Sequence, residues 1–404
     1  MSESKKLIPK RRFKEFEKSK EFCQIEWQKL VERLTVMSSA HCLPRVEFED
    51  IISEQGELNK DVFKKINDKK GIEFKKGDIL FGKLRPYLKN WLYAGFDGIA
   101  VGDFWVFRPT FSNGEFIYAL IQTNQYQIVA NQSTGTKMPR SDWNIVSNTK
   151  FIVTTNKIEQ TQIGEFFKKL DNLINTQQKK LEKAKTLKSA YLTEMFPNEG
   201  ELKPRYRFLG FKKDWSITQF KNLANIRRGL TYTPSNLALD GVRILRSSNI
   251  DSDRFILRND DIFIDQSYVS ISLVKENDIL ITSANGSSRL VGKHALIKIT
   301  NNEKAVHGGF MLLATSNQPF FTNAIMSSNW YRKFLNTYVA GGNGAIGNLN
   351  KTELANQDIS IPTTLEQTQI GNFFKLLDDK IALEQKKLDK LKNIKQAYLN
   401  EMFV

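Results

Sequence analysis

Ile158–Phe196 reads IEQTQIGEFFKKLDNLINTQQKKLEKAKTLKSAYLTEMF, and Leu365–Phe403 reads LEQTQIGNFFKLLDDKIALEQKKLDKLKNIKQAYLNEMF. Aligned without a gap, about 25 of 39 positions are identical, far above chance, so the chain carries an internal repeat. Neither copy contains proline, and apolar residues fall at alternating steps of four and three. The first stripe is Ile163, Phe167, Leu170, Ile174, Leu181, Ala184, Tyr191 and Met195. The second is Ile370, Phe374, Leu377, Ile381, Leu388, Leu391, Tyr398 and Met402. A period near 3.5 is that of a coiled-coil seam. Both stripes break at the same two places, at Gln177 and Lys188 and at Glu384 and Lys395. Polar residues at matched seam positions fix register.

Working outward, the segments before each helix are also related. Pro9-Lys-Arg-Arg-Phe13 is echoed by Pro204-Arg-Tyr-Arg-Phe208, and Gly77-Asp-Ile-Leu80 by Asn277-Asp-Ile-Leu280. Ser133-Thr-Gly-Thr136 has its counterpart in Gly341-Gly-Asn-Gly344. The chain is therefore globule, helix, globule, helix. Strand-like stretches (Ile79–Phe81, Phe104–Phe107, Ile279–Ile281, Ala295–Ile297) with helical pieces between them predict mixed α/β globules, and so an α+β chain. A helix of roughly 35 residues is about 50 Å long. The second globule begins within about ten residues of Phe196, and its exit into the second helix is equally short, so no linker could return the chain along the rod. The helices are thus expected to pair antiparallel, with the globules at opposite ends and an approximate two-fold between them.

Composition narrows the partner. Lys and Arg number 60 against 44 Asp and Glu, a formal charge of +16 that suits a polyanion, of which nucleic acid is the commonest. Cys23 and Cys42 lack the paired spacing of a zinc site and fit a reducing compartment. The charged start Met1-Ser-Glu-Ser-Lys-Lys reads as no signal peptide, and no apolar run reaches the length of a membrane span; a cytoplasmic location is expected.

This layout resembles the specificity subunit of type I restriction–modification systems, and the resemblance covers nearly the whole chain. It is carried by the doubled E-Q-T-Q-I-G-x-F-F (Glu159–Phe167, Glu366–Phe374) and the doubled A-Y-L-x-E-M-F ends. Lys76-Gly-Asp-Ile-Leu-Phe81, Asn277-Asp-Ile-Leu-Ile-Thr282, Arg246-Ser-Ser-Asn-Ile250 and the glycine-rich loops before each domain's final strand carry it too. One departure is that the usual proline before the helix is present as Pro362 but is absent from Val153-Thr-Thr-Asn-Lys157.

The resemblance implies two target-recognition domains, residues 1–157 and 197–364, separated by two conserved spacer helices, residues 158–196 and 365–404. Each domain would read one half of a split double-stranded DNA site, with divergence between the domains making the site asymmetric. Two modification subunits would dock on the helices and methylate adenine at N6 with S-adenosylmethionine. Restriction subunits using ATP and Mg would join in the full complex. This chain itself would bind no cofactor or metal and catalyse nothing. The retained Gln160–Gly164 and Gln367–Gly371 point to two equivalent partners, one per helix.

DNA recognition needs cations and amides on phosphates and Arg, Asn, Gln or Ser on base edges. In the first domain the candidates are Lys83, Arg85, Tyr87 and Lys89, with Ser133, Thr134, Lys137 and Arg140 in the glycine-containing loop. In the second they are Asn285, Ser287, Ser288, Arg289 and Lys293, then Asn343, and further Arg227, Arg228, Arg246, Ser248 and Asn249.

Motifs for an enzyme are incomplete. Gly342-Asn-Gly344-Ala-Ile-Gly347 has the G-x-G-x-x-G spelling but follows a helix-like stretch and leaves about sixty residues, too few for a dinucleotide fold. Ser316-Asn-Gln-Pro-Phe320 lacks the first proline of the adenine-methyltransferase signature. Gly286–His294 has the wrong spacing for a phosphate loop, and Glu201-Leu-Lys203 lacks an upstream aspartate for a nuclease. The alternatives to a recognition subunit are therefore a nuclease or methyltransferase, and a solitary DNA-binding or coiled-coil scaffold.

Overall fold

A computed structural model of the chain describes residues 8–18, 21–64, 68–132, 138–299, 303–339 and 347–404. The chain divides into two compact units, Met1–Lys180 with Glu384–Val404, and Leu181–Leu383. The dividing points fall inside the two long helices, Lys157–Glu194 and Thr364–Met402. Each unit therefore owns the start of one helix and the end of the other.

The first unit holds a four-stranded antiparallel sheet in the order Val31–Leu34, Phe104–Pro109, Ile79–Gly82, Trp91–Tyr93. The second unit repeats it as Asn225–Arg228, Met311–Thr315, Ile279–Thr282, His294–Leu296. The strands expected at Ile79 and Ile279 are buried throughout, which explains why they read as unbroken apolar runs rather than alternating ones. Ahead of each, a backbone turn is tied by the aspartate: Lys75 N donates to Asp78 Oδ2 (2.7 Å) and Lys275 N to Asp278 Oδ2 (2.9 Å). The turn residues Gly77 and Asn277 both sit at positive φ (92° and 66°). Glycine and asparagine are the residues that tolerate this conformation best, so the Gly-to-Asn exchange between the two echoes is conservative in backbone terms.

A second sheet in each unit is built on one parallel pair, Arg45–Glu47 with Gly98–Val101 and Val242–Leu245 with Ala305–His307. The extra antiparallel strands attach to opposite edges of that pair. In the first unit Gly71–Phe74 pairs with Gly98–Val101; in the second Phe263–Ile264 pairs with Val242–Leu245. The duplication has diverged here in topology as well as in sequence.

Within each unit the two helices run antiparallel, as expected. In the first, Asp171 meets Lys395 (2.5 Å) and Gln177 Nε2 donates to Glu384 Oε2 (2.5 Å) and to its carbonyl (3.0 Å). In the second, Lys188 meets Asp378 (2.5 Å) and Tyr191 lies edge-on to Phe373 (4.9 Å). The four residues that interrupt the apolar stripes thus all have polar partners across the seam. Burial pushes the Asp171 carboxyl up, and the Lys395 ammonium pulls it back. Ion pairs of this kind add little net stability over apolar contacts, but a slipped register would strand a buried charge.

Four of the six positions of the repeated E-Q-T-Q-I-G motif, all but the half-buried to exposed Thr161-Gln162 and Thr368-Gln369, are taken up by internal packing. Glu159 and Glu366 are fully buried and receive Arg12 (2.7 Å) and Arg207 (2.6 Å), the arginines of the two echoed Pro-to-Phe segments. The bond to Glu366 pushes the Arg207 guanidinium further up. Gln160 Nε2 donates to Thr154 O (2.7 Å) and Gln367 Nε2 to Pro362 O (2.9 Å). A Cβ on Gly164 would lie 2.8 Å from Phe116 N, and one on Gly371 2.6 Å from Phe321 N, so these glycines let each long helix abut a short one. The retention of these four positions therefore has a cause inside the chain, whereas that of the Thr-Gln pair is not explained by packing. Where the first junction lacks proline, Asn156 Oδ1 caps the helix by accepting from Ile158 N (3.0 Å) and Glu159 N (3.2 Å).

The helix ends close each unit. Phe403 packs on Phe116 (5.4 Å) and Phe167 (5.9 Å), while Phe196 packs on Phe321 (5.9 Å) and Phe374 (5.8 Å). At the start of the first unit Arg11 N donates to Glu401 O (2.9 Å), and in the second Tyr206 N donates to Glu194 O (2.8 Å). Both clasps are built alike. Among the described residues, no helix is long and apolar enough to cross a membrane.

Candidate nucleic-acid interface

In the first unit the strand Ile79–Gly82 feeds directly into the cationic loop that sequence singled out. Arg85 (φ 48°, ψ 61°) and Lys89 (φ 55°, ψ 46°) bracket a single 3-10 turn, Pro86–Leu88. Two non-glycine residues in the left-handed region within five positions are costly and persist only where the surrounding structure over-determines the backbone. Tyr87, at the crest of this turn, is exposed. Arg85 N donates to Pro139 O (2.7 Å) and Ser141 N to Lys83 O (2.9 Å), which brings Arg140 alongside. Lys83 (3.9 Å) and Arg140 (3.0 Å) then converge on Asp103, in the turn between Gly98–Val101 and Phe104–Pro109. Lys89 points elsewhere and is paired with Glu54 (2.7 Å). Ser133, Thr134 and Lys137 lie outside the described residues.

In the second unit the matching strand, Ile279–Thr282, leads into Asn285, Gly286, Ser287, Ser288 and Arg289, of which the last four are exposed. Asn285 shapes the loop: its Oδ1 accepts from Ser287 N (2.9 Å), and its Nδ2 donates to Ser247 Oγ (3.1 Å). That bond joins two loops far apart in sequence into one rim. Between them opens a cleft of about 560 Å³ whose lining includes Tyr232, Arg246, Ser247, Asn285, Gly309 and Phe310. Arg246 Nη2 donates to Asp260 O (3.2 Å), while its Nε is buried without a hydrogen-bond partner among the described residues. Ser248 Oγ is likewise buried and unpartnered there. The structure thus gathers Arg246, Ser248, Asn285, Ser287, Ser288 and Arg289 around the end of one strand, with Lys293 half-buried at the loop's return. Asn343 lies outside the described residues, as does most of the Gly342–Gly347 spelling.

Two nominated residues are engaged within the fold. Asn249 is fully buried; its Oδ1 accepts from Arg246 N (2.8 Å) and its Nδ2 donates to Asp261 and to Ile256 O (3.0 Å). Asp50 does the same work in the first unit, accepting from Glu47 N (2.8 Å), so the Arg246–Asn249 turn is a shared fold device and Asn249 faces inward. Arg227 reaches the buried Asp278 (3.6 Å) at the start of strand Ile279–Thr282, the end away from the loop; its neighbour Arg228 is exposed. Alternation along a strand puts one of two adjacent arginines inward, a signal that was present in the sequence but ambiguous there.

Other candidate chemistry is accounted for locally. Glu47, Glu49 and Asp50 lie close enough to hold a cation, but Asp50 meets Lys60 (2.7 Å) and Glu47 meets Lys69 (2.6 Å). Ser316-Asn-Gln-Pro-Phe320 forms a helix entry in which Thr322 Oγ1 donates to Ser316 Oγ (2.8 Å) and Ser316 Oγ to Leu223 O (2.8 Å). His307 is buried beneath the cleft's Gly308-Gly309 rim, and desolvation pushes it down to about 4, which keeps it neutral at pH 7.

Sequence reading missed the turn residues Asp103 and Phe310. A search for cations passes over both, although an aromatic following Gly308-Gly309 between two strands was a usable signal for an exposed ring. Phe310 is 75% exposed.

A family model for the type I restriction modification DNA specificity domain matches residues 35–186 and 212–393. The chain is 22% identical over 287 residues to the type I restriction enzyme MjaVIII specificity subunit of Methanocaldococcus jannaschii; the match covers 67% of this chain and spans 65% of that relative's length. The fold is similar to that of the type I restriction-modification system S subunit from M. genitalium (TM-score 0.67, 14% identity, 98% of this chain and 99% of the other). It is also similar to a solved chain of a type I R-M system (TM-score 0.52, 17% identity, 95% and 97%). These findings agree with the expected α+β architecture and with the expected family.

Proposed function

Because the chain belongs to the type I restriction modification DNA specificity domain family, we propose that it is the non-catalytic reader of an asymmetric, two-part double-stranded DNA site. On this reading each unit reads one half, and the paired helices fix the gap between them. Two adenine-N6 methyltransferase subunits carry S-adenosylmethionine to the site, and restriction subunits with ATP and Mg join in the full complex, in the cytoplasm. The observation that carries the reading is the loop after Ile79–Gly82 and its match after Ile279–Thr282. The same strand pairing places a loop with cations and polar groups at the end of this strand in both units, while loop length and side chains differ. A net charge of +16 adds the sequence-independent attraction that such a reader needs.

The test is co-expression with the cognate modification subunit in a methylation-free host, followed by single-molecule sequencing for N6-methyladenine. Marks at a two-part motif with a constant gap and unlike halves are expected. A complex that forms but marks no adenine contradicts the reading, as does methyl transfer or cleavage by this chain alone.

Arg85→Ala and Arg289→Ala are each expected to weaken DNA binding without disturbing assembly. If each removes one phosphate contact, the slope of log K against log salt becomes shallower by about 0.9. Titrations at several salt concentrations check this; unchanged affinity in both variants at moderate salt would remove these residues from the interface.

A further inference from the structure

Two turns, one in each unit, hold equivalent places beside the candidate loops. Lys83 N donates to Asp103 O (2.9 Å), and Ser283 N donates to Phe310 O (2.9 Å). Ser141 N donates to Lys83 O (2.9 Å), and Leu349 N to Ser283 O (2.7 Å). Isolated bridges complete the match, Leu84 with Arg140 and Ala284 with Asn348. Position by position, the trio Lys83, Asp103 and Arg140 of the first unit stands where the second has Ser283, Phe310 and Asn348. The bonds that tie each turn to its neighbouring strands are shared, although Phe104 N closes the first turn on Gly102 O and Met311 N the second on Gly308 O, while the chemistry changes from charged to apolar and neutral.

Both turn residues are unusual for a surface that meets a polyanion. Asp103 carries negative charge among the cations of the first loop, where it repels phosphate. An ionised carboxylate only accepts hydrogen bonds. What duplex DNA offers to an acceptor in the major groove are the base amino groups, cytosine N4 and adenine N6. Phe310 exposes its ring at the mouth of the cleft lined by Arg246 and Asn285, where an isolated aromatic gains nothing in water. Its apolar counterpart in the major groove is the thymine methyl group.

Resting on the functional reading above, we propose that this turn position determines specificity in both units: Asp103 accepts from a base amino group in one half-site, and Phe310 contacts a thymine methyl in the other. Lys83 and Arg140 pair with the Asp103 carboxylate and aim it, and the exposed Gly309 lets the second turn approach the bases closely.

The experiment maps the methylated motif of the complex with modification subunits for wild type, Asp103→Ala, Asp103→Asn and Phe310→Ala. Both sites are at the surface of a turn, and Asp103→Asn keeps shape and one acceptor. Asp103→Ala is expected to lower discrimination at one base pair of one half-site by roughly ten-fold or more. Asp103→Asn should move that position toward adenine, which asparagine contacts through N6 and N7. Phe310→Ala should relax a thymine position in the other half only. If Asp103 merely orients its two cations, the variants will lower methylation equally at all sequences, and the proposal fails. A wild type that marks a two-part motif, with all variants keeping its base preferences, overturns this proposal alone. A wild type that marks no such motif overturns the functional reading and the proposal with it.

Discussion

Glu366→Ala is expected to destabilise the second unit by about 3–5 kcal/mol, the cost of leaving one member of a buried ion pair without the other. The carboxylate is fully buried and receives both Arg207 Nε (2.6 Å) and Nη2 (2.7 Å), a two-pronged contact whose loss strands a largely buried guanidinium. The pair also ties the segment before the second globule to the start of the second long helix, so the loss spreads beyond one bond. Urea denaturation with hydrogen exchange checks the size and place of the effect. Loss of protection is expected in Leu181–Leu383 and not around Glu159, whose own partner is Arg12. Destabilisation below about 1 kcal/mol, the range of a solvent-exposed pair, would contradict the account of this clasp.

Phe403→Ala is expected to cost the first unit about 3–5 kcal/mol, the usual range for deleting a core phenylalanine. Although second to last in the chain, Phe403 belongs to the first unit's core with Leu399 and Met402, alongside Trp27, Phe116 and Phe167. The matching Phe196→Ala should weaken the second unit by a similar amount, through Trp215, Phe321 and Phe374. Hydrogen exchange on the two variants should show opposite patterns, each opening one unit first. The same pattern in both variants would contradict the assignment of each helix end to its own unit.

The repeat made the architecture legible because a helix writes its packing into a fixed period, and two copies of one period expose their own interruptions. Gln177, Lys188, Glu384 and Lys395 could be read as register devices from position alone, and each has its partner across the seam. The purpose of E-Q-T-Q-I-G was not legible. Identity between copies shows constraint, but only the contacts show that Gly164 and Gly371 serve close helix approach and that Glu159 and Glu366 serve buried arginines.

Within the globules, residue type pointed to loops at strand ends but did not show which side chains turn inward. Arg85, Arg289 and Asn285 follow strand ends, where a chain with matching turns must put exposed groups. Asn249 and Arg227 look the same in sequence, yet one caps a buried turn and the other neutralises a buried aspartate, because burial depends on neighbours distant along the chain. Asp103 escaped notice since an acid runs against the overall charge. It becomes informative only once Lys83 and Arg140 are seen to flank it.

On the proposed function, one chain carries two reading units of different chemistry. The most direct test is selection of bound duplexes from a randomised DNA library by the purified complex with modification subunits. Enrichment of two unlike blocks of fixed sequence separated by a constant number of unspecified base pairs is expected. A single uninterrupted block, a palindrome, or no enrichment over the starting library would contradict it.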